Sequence, residues 1–247
     1  MERNKYCILI LLGVILPILS FSQHKKKPDY TFLSIPGIVA DGDLKEWEGQ
    51  LYNAESEVWS YGLALQGNSM YAAVIIKDPV LQNEALANGI IFNLSYNDKK
   101  RDGARLFFPV ADRESMRALQ QEDERPVGDY RKEILNTTRG YYVIGFSKVV
   151  DGLLSFQNEY GIRAVANLDT ANNLCYEAII PLDLIVFKSD KIAVKLAVNT
   201  QFSRLQRAAR NRNTSAMGPY GVYRQREPVL RNPYKESTEI WVVGSIK

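Results

Sequence analysis

Histidine is almost missing from this chain of 247 residues: the single one, His24, lies in a polar stretch near the N-terminus. That scarcity excludes a Ser-His-Asp triad, a histidine general base and an ordinary zinc site. It also argues against a haem, which usually takes an axial histidine. Cysteine is nearly as rare, with only Cys7 and Cys175. Cys7 opens an apolar run, and loss of that run leaves Cys175 alone, with no intramolecular disulfide and no CxxC metal or redox pair. Long apolar runs are missing too. The stretch from Cys7 to Leu19 is interrupted by Pro17 and, at roughly 13 residues, falls short of the ~20 that span a bilayer as a helix. No Walker or dinucleotide glycine motif follows a strand, and there is no internal repeat or low-complexity tract. Neither sign of charge dominates: 31 basic residues face 28 acidic ones.

What is present begins with a processing signal. Arg3 and Lys5 precede the apolar run, and Ser20-Phe21-Ser22 offers a small-x-small cleavage site before Gln23. This pattern predicts residues 1–22 as a signal peptide and an exported protein, periplasmic or extracellular, with no membrane span after cleavage. Cys7 lies on the wrong side of the run for a lipoprotein anchor. Residues 23–34 form a polar leader, and residues 35–247 are long enough for one large core. An exported domain without disulfides is held by that core alone.

Short alternating runs fill the rest. Trp59–Leu65 and Met70–Lys77 flank the turn Gln66-Gly-Asn-Ser69 and predict a hairpin, closed by Asp78-Pro79. Further strands are expected at Ile90–Tyr96, Ala104–Val110, Tyr141–Ser147, Tyr160–Asn167, Leu174–Ile180, Ile192–Phe202 and Glu239–Ser245. One helix is expected from Asp112 as N-cap to about Gln121, with Met116 and Leu119 on its apolar side. Many short strands, frequent turns and little helix predict an all-β fold, an antiparallel β-sandwich with jelly-roll or immunoglobulin-like layers. Two segments resist this reading. Glu122–Arg139 is charged and irregular, and Ser203–Ser237 reads as a long loop rich in arginine and tyrosine. Loops of that length are uncommon unless functional or disordered.

Two strings stand out. In Asp41-Gly-Asp-Leu-Lys-Glu-Trp47 the Asp-Gly pair suits a tight turn. Asp43 can then cap a helical turn with Glu46 as its capping-box partner, and Trp47 falls back onto the sandwich. In Cys175-Tyr-Glu-Ala-Ile-Ile-Pro181, alternation puts Cys175, Glu177 and Ile179 on one face and Tyr176, Ala178 and Ile180 on the other, with Pro181 stopping the strand. A carboxylate among apolar neighbours needs a partner, and Arg163 on the preceding strand is the candidate. A structural role is expected for Asp41, Asp43, Trp47, Glu177 and Pro181. A weaker reading makes Asp41, Asp43 and Asp78 a calcium site, although calcium wants six to eight oxygens and no EF-hand loop is present.

In their order and separation, these strings, the Gly-Asn-Ser-Met-Tyr-Ala-Ala-Val-Ile-Ile-Lys-Asp strand and the terminal strand around Trp241 resemble the family 9-like carbohydrate-binding modules over nearly the whole chain after residue 22. The resemblance implies a β-sandwich that binds sugars without a catalytic step or a cofactor, often at chain ends, with tryptophan rings against the pyranose face.

Sugars need flat aromatic faces and planar polar groups. Trp59 and Tyr61 share a strand face with Leu63 and Leu65, whereas Trp241 lies opposite Ile240 and Val242. Each can line a ligand site or serve the core. Tyr220, Tyr223 and Tyr234 sit among Arg212, Arg224 and Arg226 in the long segment, where seven arginines (Arg204, Arg207, Arg210, Arg212, Arg224, Arg226 and Arg231) meet one acid, Glu227. Arginine binds carboxylate and phosphate bidentately, so an acidic glycan would suit that surface. Residues 204–235 equally suit a protein partner or an anionic envelope surface. Nucleic acid is not expected of an exported domain with so little net charge. A glycoside hydrolase built on Glu122, Asp123 or Glu177 is the least favoured reading, because no spacing selects a pair.

Overall fold

The computed structural model describes residues 29–54, 57–112, 129–215, 231–234 and 237–247, with 114 and 117 alone between them, and side chains as far as residue 209 in the last helix. The expected sandwich is there. Among the described residues, eleven strands form two antiparallel sheets. Sheet I has the order β1 (Tyr52–Asn53), β2 (Trp59–Gln66), β3 (Ser69–Ile76), β9 (Leu174–Pro181), β8 (Arg163–Leu168). Sheet II has the order β11 (Glu239–Ser245), β10 (Lys191–Val198), β4 (Ile90–Leu94), β5 (Ala104–Phe108), β6 (Gly140–Ile144), β7 (Gly152–Ser155).

The register follows from the side-chain period of two. In the β2–β3 hairpin Gln66 pairs with Ser69 and Leu65 with Met70, leaving two residues for the turn. Every second side chain then points inward. Leu63, Val74, Tyr176 and Ala164 from sheet I meet Phe92, Leu106, Val143 and Val194 from sheet II in one core. A strand that slipped by one residue would expose its whole set, so this core fixes the pairing.

A second, smaller core lies on the outer face of sheet I. Ile35, Ile38 and Trp47 pack there on Ala64 and Ala73. The polypeptide before β1 therefore covers that face. It also straps one edge of the sandwich: Tyr30 N–H donates to Val243 O of β11 at 2.6 Å, and Leu33 N–H to Leu63 O of β2 at 3.0 Å.

The helices differ from expectation. The Asp78-Pro79 pair does more than close β3; it opens helix α1 (Pro79–Asn88), with the Asp78 carboxylate accepting from Leu81 N–H at 2.7 Å. Proline suits the first helical position, where its missing N–H has no partner to lose. Helix α2 (Tyr130–Thr137) occupies part of the stretch read as irregular, capped by Asp129. Leu81, Ala85 and Leu86 of α1 and Ile134 of α2 reach the main core, so both helices close the sandwich and do not lie on its outer faces. The strand expected over Ile192–Phe202 stops at Val198, and α3 (Gln201–Ser215) replaces the first part of the expected Arg/Tyr loop. Its start is marked by Thr200, whose hydroxyl accepts from Ser203 N–H at 3.1 Å. The helix expected from Asp112 to Gln121 lies outside the described residues except for Asp112, Glu114 and Arg117. No described helix is long and apolar enough to cross a membrane.

Candidate functional site

The two signature strings meet at one carboxylate. Glu177, 1% exposed, accepts from Trp47 Nε1–H at 2.8 Å, from Gly42 N–H at 2.8 Å and from Asp41 N–H at 3.1 Å. Its partner is therefore not Arg163, which is exposed on the edge strand β8. The reason is geometric: Glu177 faces the outer side of sheet I, where the 41–47 turn supplies neutral donors. Burial pushes the Glu177 carboxyl above the usual range while the three donors pull it down. Gly42 sits at φ 87°, and a Cβ there would meet Asn167 Nδ2 at 2.3 Å. The expected capping box is not formed. Asp43 makes no side-chain cap to the 3₁₀ turn Leu44–Trp47; instead its N–H donates to Asp41 Oδ1 at 2.8 Å. Asp43 pairs with Lys45 at the surface. Pro181 ends β9, as expected.

These commitments bear on the calcium reading. Asp41 closes its own turn, Asp43 holds Lys45 and Asp78 caps α1. Among the described residues, no three acidic, cysteine or histidine side chains gather into a group able to hold a metal ion. Glu177 is sealed beneath Trp47, out of reach of a substrate, and the other carboxylates considered for hydrolysis, Glu122 and Asp123, lie outside the described residues.

The aromatic candidates separate clearly. Trp59 and Tyr61 share the inward face of β2, as the alternation required. Trp59 is 2% exposed in the main core and its Nε1–H donates to Ser237 O at 3.2 Å; it offers no surface to a ligand. Tyr61 is half-buried against it, with ring centroids 5.8 Å apart. Tyr220, Tyr223, Arg224 and Arg226 lie outside the described residues, as does the side chain of Arg212 on α3. Tyr234 is tied down: its hydroxyl donates to Glu84 Oε1 on α1 at 2.8 Å.

Trp241 is different. It belongs to neither core and points to the outer face of sheet II, opposite Ile240 and Val242, which pack on the main core. Two of the other sheet faces form the core and the third is covered by residues 33–51, while on the outer face of sheet II the central side chains Ile91, Asn93, Ala193 and Ala197 are themselves buried. On this fourth face, register aligns a row across four strands: Trp241, Lys195, Asn93, Arg105. Three strand spacings of about 4.8 Å make that row about 14 Å long. The next row carries Glu239, Ile91, Phe107 and Tyr142.

Most of the polar groups there are paired. Lys195 Nζ lies 5.4 Å from the Trp241 ring centroid and 2.9 Å from Glu239 Oε2. The Arg105 guanidinium lies 5.9 Å from the Phe107 ring and bonds Asp102 at 2.9 Å, while its Nε is buried without a partner. Phe107 and Tyr142 meet edge to face at 5.9 Å, and Tyr142 is 42% exposed. Asn93 lies buried, its Oδ1 accepting from Gly103 N–H at 2.7 Å. Chemically, the face presents aromatic rings beside charge-balanced donors and acceptors, fixed on strands. Sequence reasoning passed over Lys195, Arg105, Phe107 and Tyr142. The signal was present: Lys195 is a lone cation in Ile192-Ala-Val-Lys-Leu-Ala-Val, out of place in a strand buried on both sides. Compared with protein-family models, curated proteins and solved structures, the chain matches none of them.

Proposed function

We propose that this is an exported, non-catalytic carbohydrate-binding protein whose ligand lies across the outer face of sheet II. The observation that carries the reading is the row from Trp241 to Arg105 on the outer face of sheet II, with Phe107 and the 42% exposed Tyr142 beside it, where rings and paired charges surround a buried centre at Asn93 and Lys195. Aromatic rings suit the C–H faces of pyranoses, and paired charged groups suit hydroxyls that both donate and accept. Lys195–Glu239 and Arg105–Asp102 balance each other, which favours hydroxyl recognition over attraction to a polyanion. The resemblance to family 9-like modules points in the same direction.

The test is a glycan array of neutral and acidic oligosaccharides at low and high salt, repeated with Trp241→Ala and Tyr142→Ala. Binding that survives high salt and is lost in both variants supports the reading. Binding only to polyanions, abolished by salt and unaffected by either substitution, moves the function to the arginine-rich segment 204–235 and refutes this face as the site.

A further inference from the structure

At the edge of the sandwich opposite the N-terminal strap, β7 ends sheet II and β8 ends sheet I, and among the described residues neither has a further strand beside it. Between them runs a cleft of about 540 Å³, within the range of small-molecule sites. Its floor is aromatic: Tyr141 lies 5.1 Å from Phe156 and 5.5 Å from Phe108, centroid to centroid, all edge to face. Phe156 is 44% exposed, so one ring of the three is offered to a ligand. The hollow exists because the β8 wall is made of Ala164 and Ala166, preceded by Gly161 at φ 72° against Pro181.

Polar groups around the cleft are mostly spent. Asn158 Nδ2 donates to Ile162 O at 2.9 Å and Ser155 O at 3.1 Å, while its Oδ1 accepts from Tyr160 N–H at 3.2 Å. The Tyr141 hydroxyl bonds the Ala164 backbone. Arg163 at the rim is the exception. It is exposed, its side chain forms no ion pair or hydrogen bond with any described residue, and its charge reaches the Tyr141 hydroxyl. A hydroxyl-rich sugar would leave most of its groups unpaired against these apolar walls, at a cost for each. A ring with a single anionic group would not.

We propose that this cleft is a second ligand site, independent of the carbohydrate face, that takes a small aryl carboxylate. The ring rests on Phe156, which Tyr141 holds from beneath, and the carboxylate takes the fork of the Arg163 guanidinium.

The probe is 3-phenylpropionate, titrated into the purified protein by calorimetry and ligand-observed NMR, with 3-phenylpropan-1-ol as its neutral counterpart. Saturable binding of the acid is expected, weakened by about tenfold or more in the alcohol and in Arg163→Gln, since a charge-assisted pair is lost. Phe156→Ala should weaken both probes, whereas Trp241→Ala should change neither. Arg163 and Phe156 are exposed, so both variants are expected to fold; unchanged melting curves would establish it. No saturable binding at millimolar probe, equal affinity for acid and alcohol, or indifference to both cleft substitutions would overturn the proposal.

Discussion

Replacing Glu177 by leucine tests how the two signature strings hold each other. The substitution puts an apolar side chain of similar size beneath Trp47 and removes the acceptor for Trp47 Nε1–H, Gly42 N–H and Asp41 N–H. The first two bonds are buried and the third partly so. Each orphaned buried donor costs about 1–3 kcal/mol, and relief from burying a carboxylate returns part of it, so a net loss of about 3–5 kcal/mol is expected. That is a large share of the ~5–15 kcal/mol that holds an ordinary domain together. Trp47→Phe, which removes one donor, should cost about 1–2 kcal/mol, and the double variant should show coupling of similar size. Urea titrations at pH 7 give all of these values. The pH dependence carries a sign as well. Burial raises the Glu177 carboxyl in the native state, so the folded protein holds that proton to higher pH than the unfolded chain does. Stability from this group should therefore be greatest below the unfolded carboxylate value of about 4.3. It should decline as pH rises through the native value and stay level above it. Glu177→Gln should abolish that component. A leucine variant within about 1 kcal/mol of wild type, or a Glu177-dependent stability that rises through the same window, would refute the reasoning.

Trp59→Ala should destabilise the protein by about 3–5 kcal/mol through a core cavity, whereas Trp241→Ala, outside both cores, should shift the urea midpoint little. Equal losses would refute the division of the tryptophans into core and surface. The Cys175 thiol, 5% exposed, is pushed up to about 12 by burial and by the neighbouring Asp169 carboxylate. It should resist a thiol reagent such as DTNB at pH 8 and react at once in denaturant; fast native labelling would contradict the packing. Gly42→Ala should cost about 1–3 kcal/mol from positive φ alone, with more from the contact at Asn167, and calorimetric melting would measure it.

Elements whose side-chain period matched their burial were legible. β11 runs from Glu239 to Ser245, as read from the sequence, and the β2–β3 hairpin and its turn fall where the Gly67-Asn68 pair put them. The helices were hidden for physical reasons. α1 buries Gln82 beside Leu81, Ala85 and Leu86, so no clean apolar stripe shows, and its proline start resembles a turn. α2 buries only Ile134 among its described residues and α3 is dominated by arginine and other polar residues; both carry too few apolar residues for a helical stripe to stand out in the sequence. The partner of Glu177 was misjudged because strand alternation names a face without naming what covers it. Here the cover comes from a turn 130 positions earlier in the chain. Trp59 and Trp241 are equally ambiguous in sequence, and only pairing order separates a ring in the core from one on the outer face.

Glu84 on α1 holds Gln201 N–H at 3.0 Å and the Tyr234 hydroxyl at 2.8 Å. Gln201 and Tyr234, at either end of the arginine-rich segment, are thus held at a single carboxylate. Because the segment's two ends are already brought together, the entropy of closing whatever lies between depends only logarithmically on length, about 0.6 kcal/mol for each doubling. In engineering terms, residues 202–233 form a cassette. They can be shortened, exchanged or tagged with the two anchor points kept, while the strands carrying Trp241, Lys195 and Arg105 remain in register.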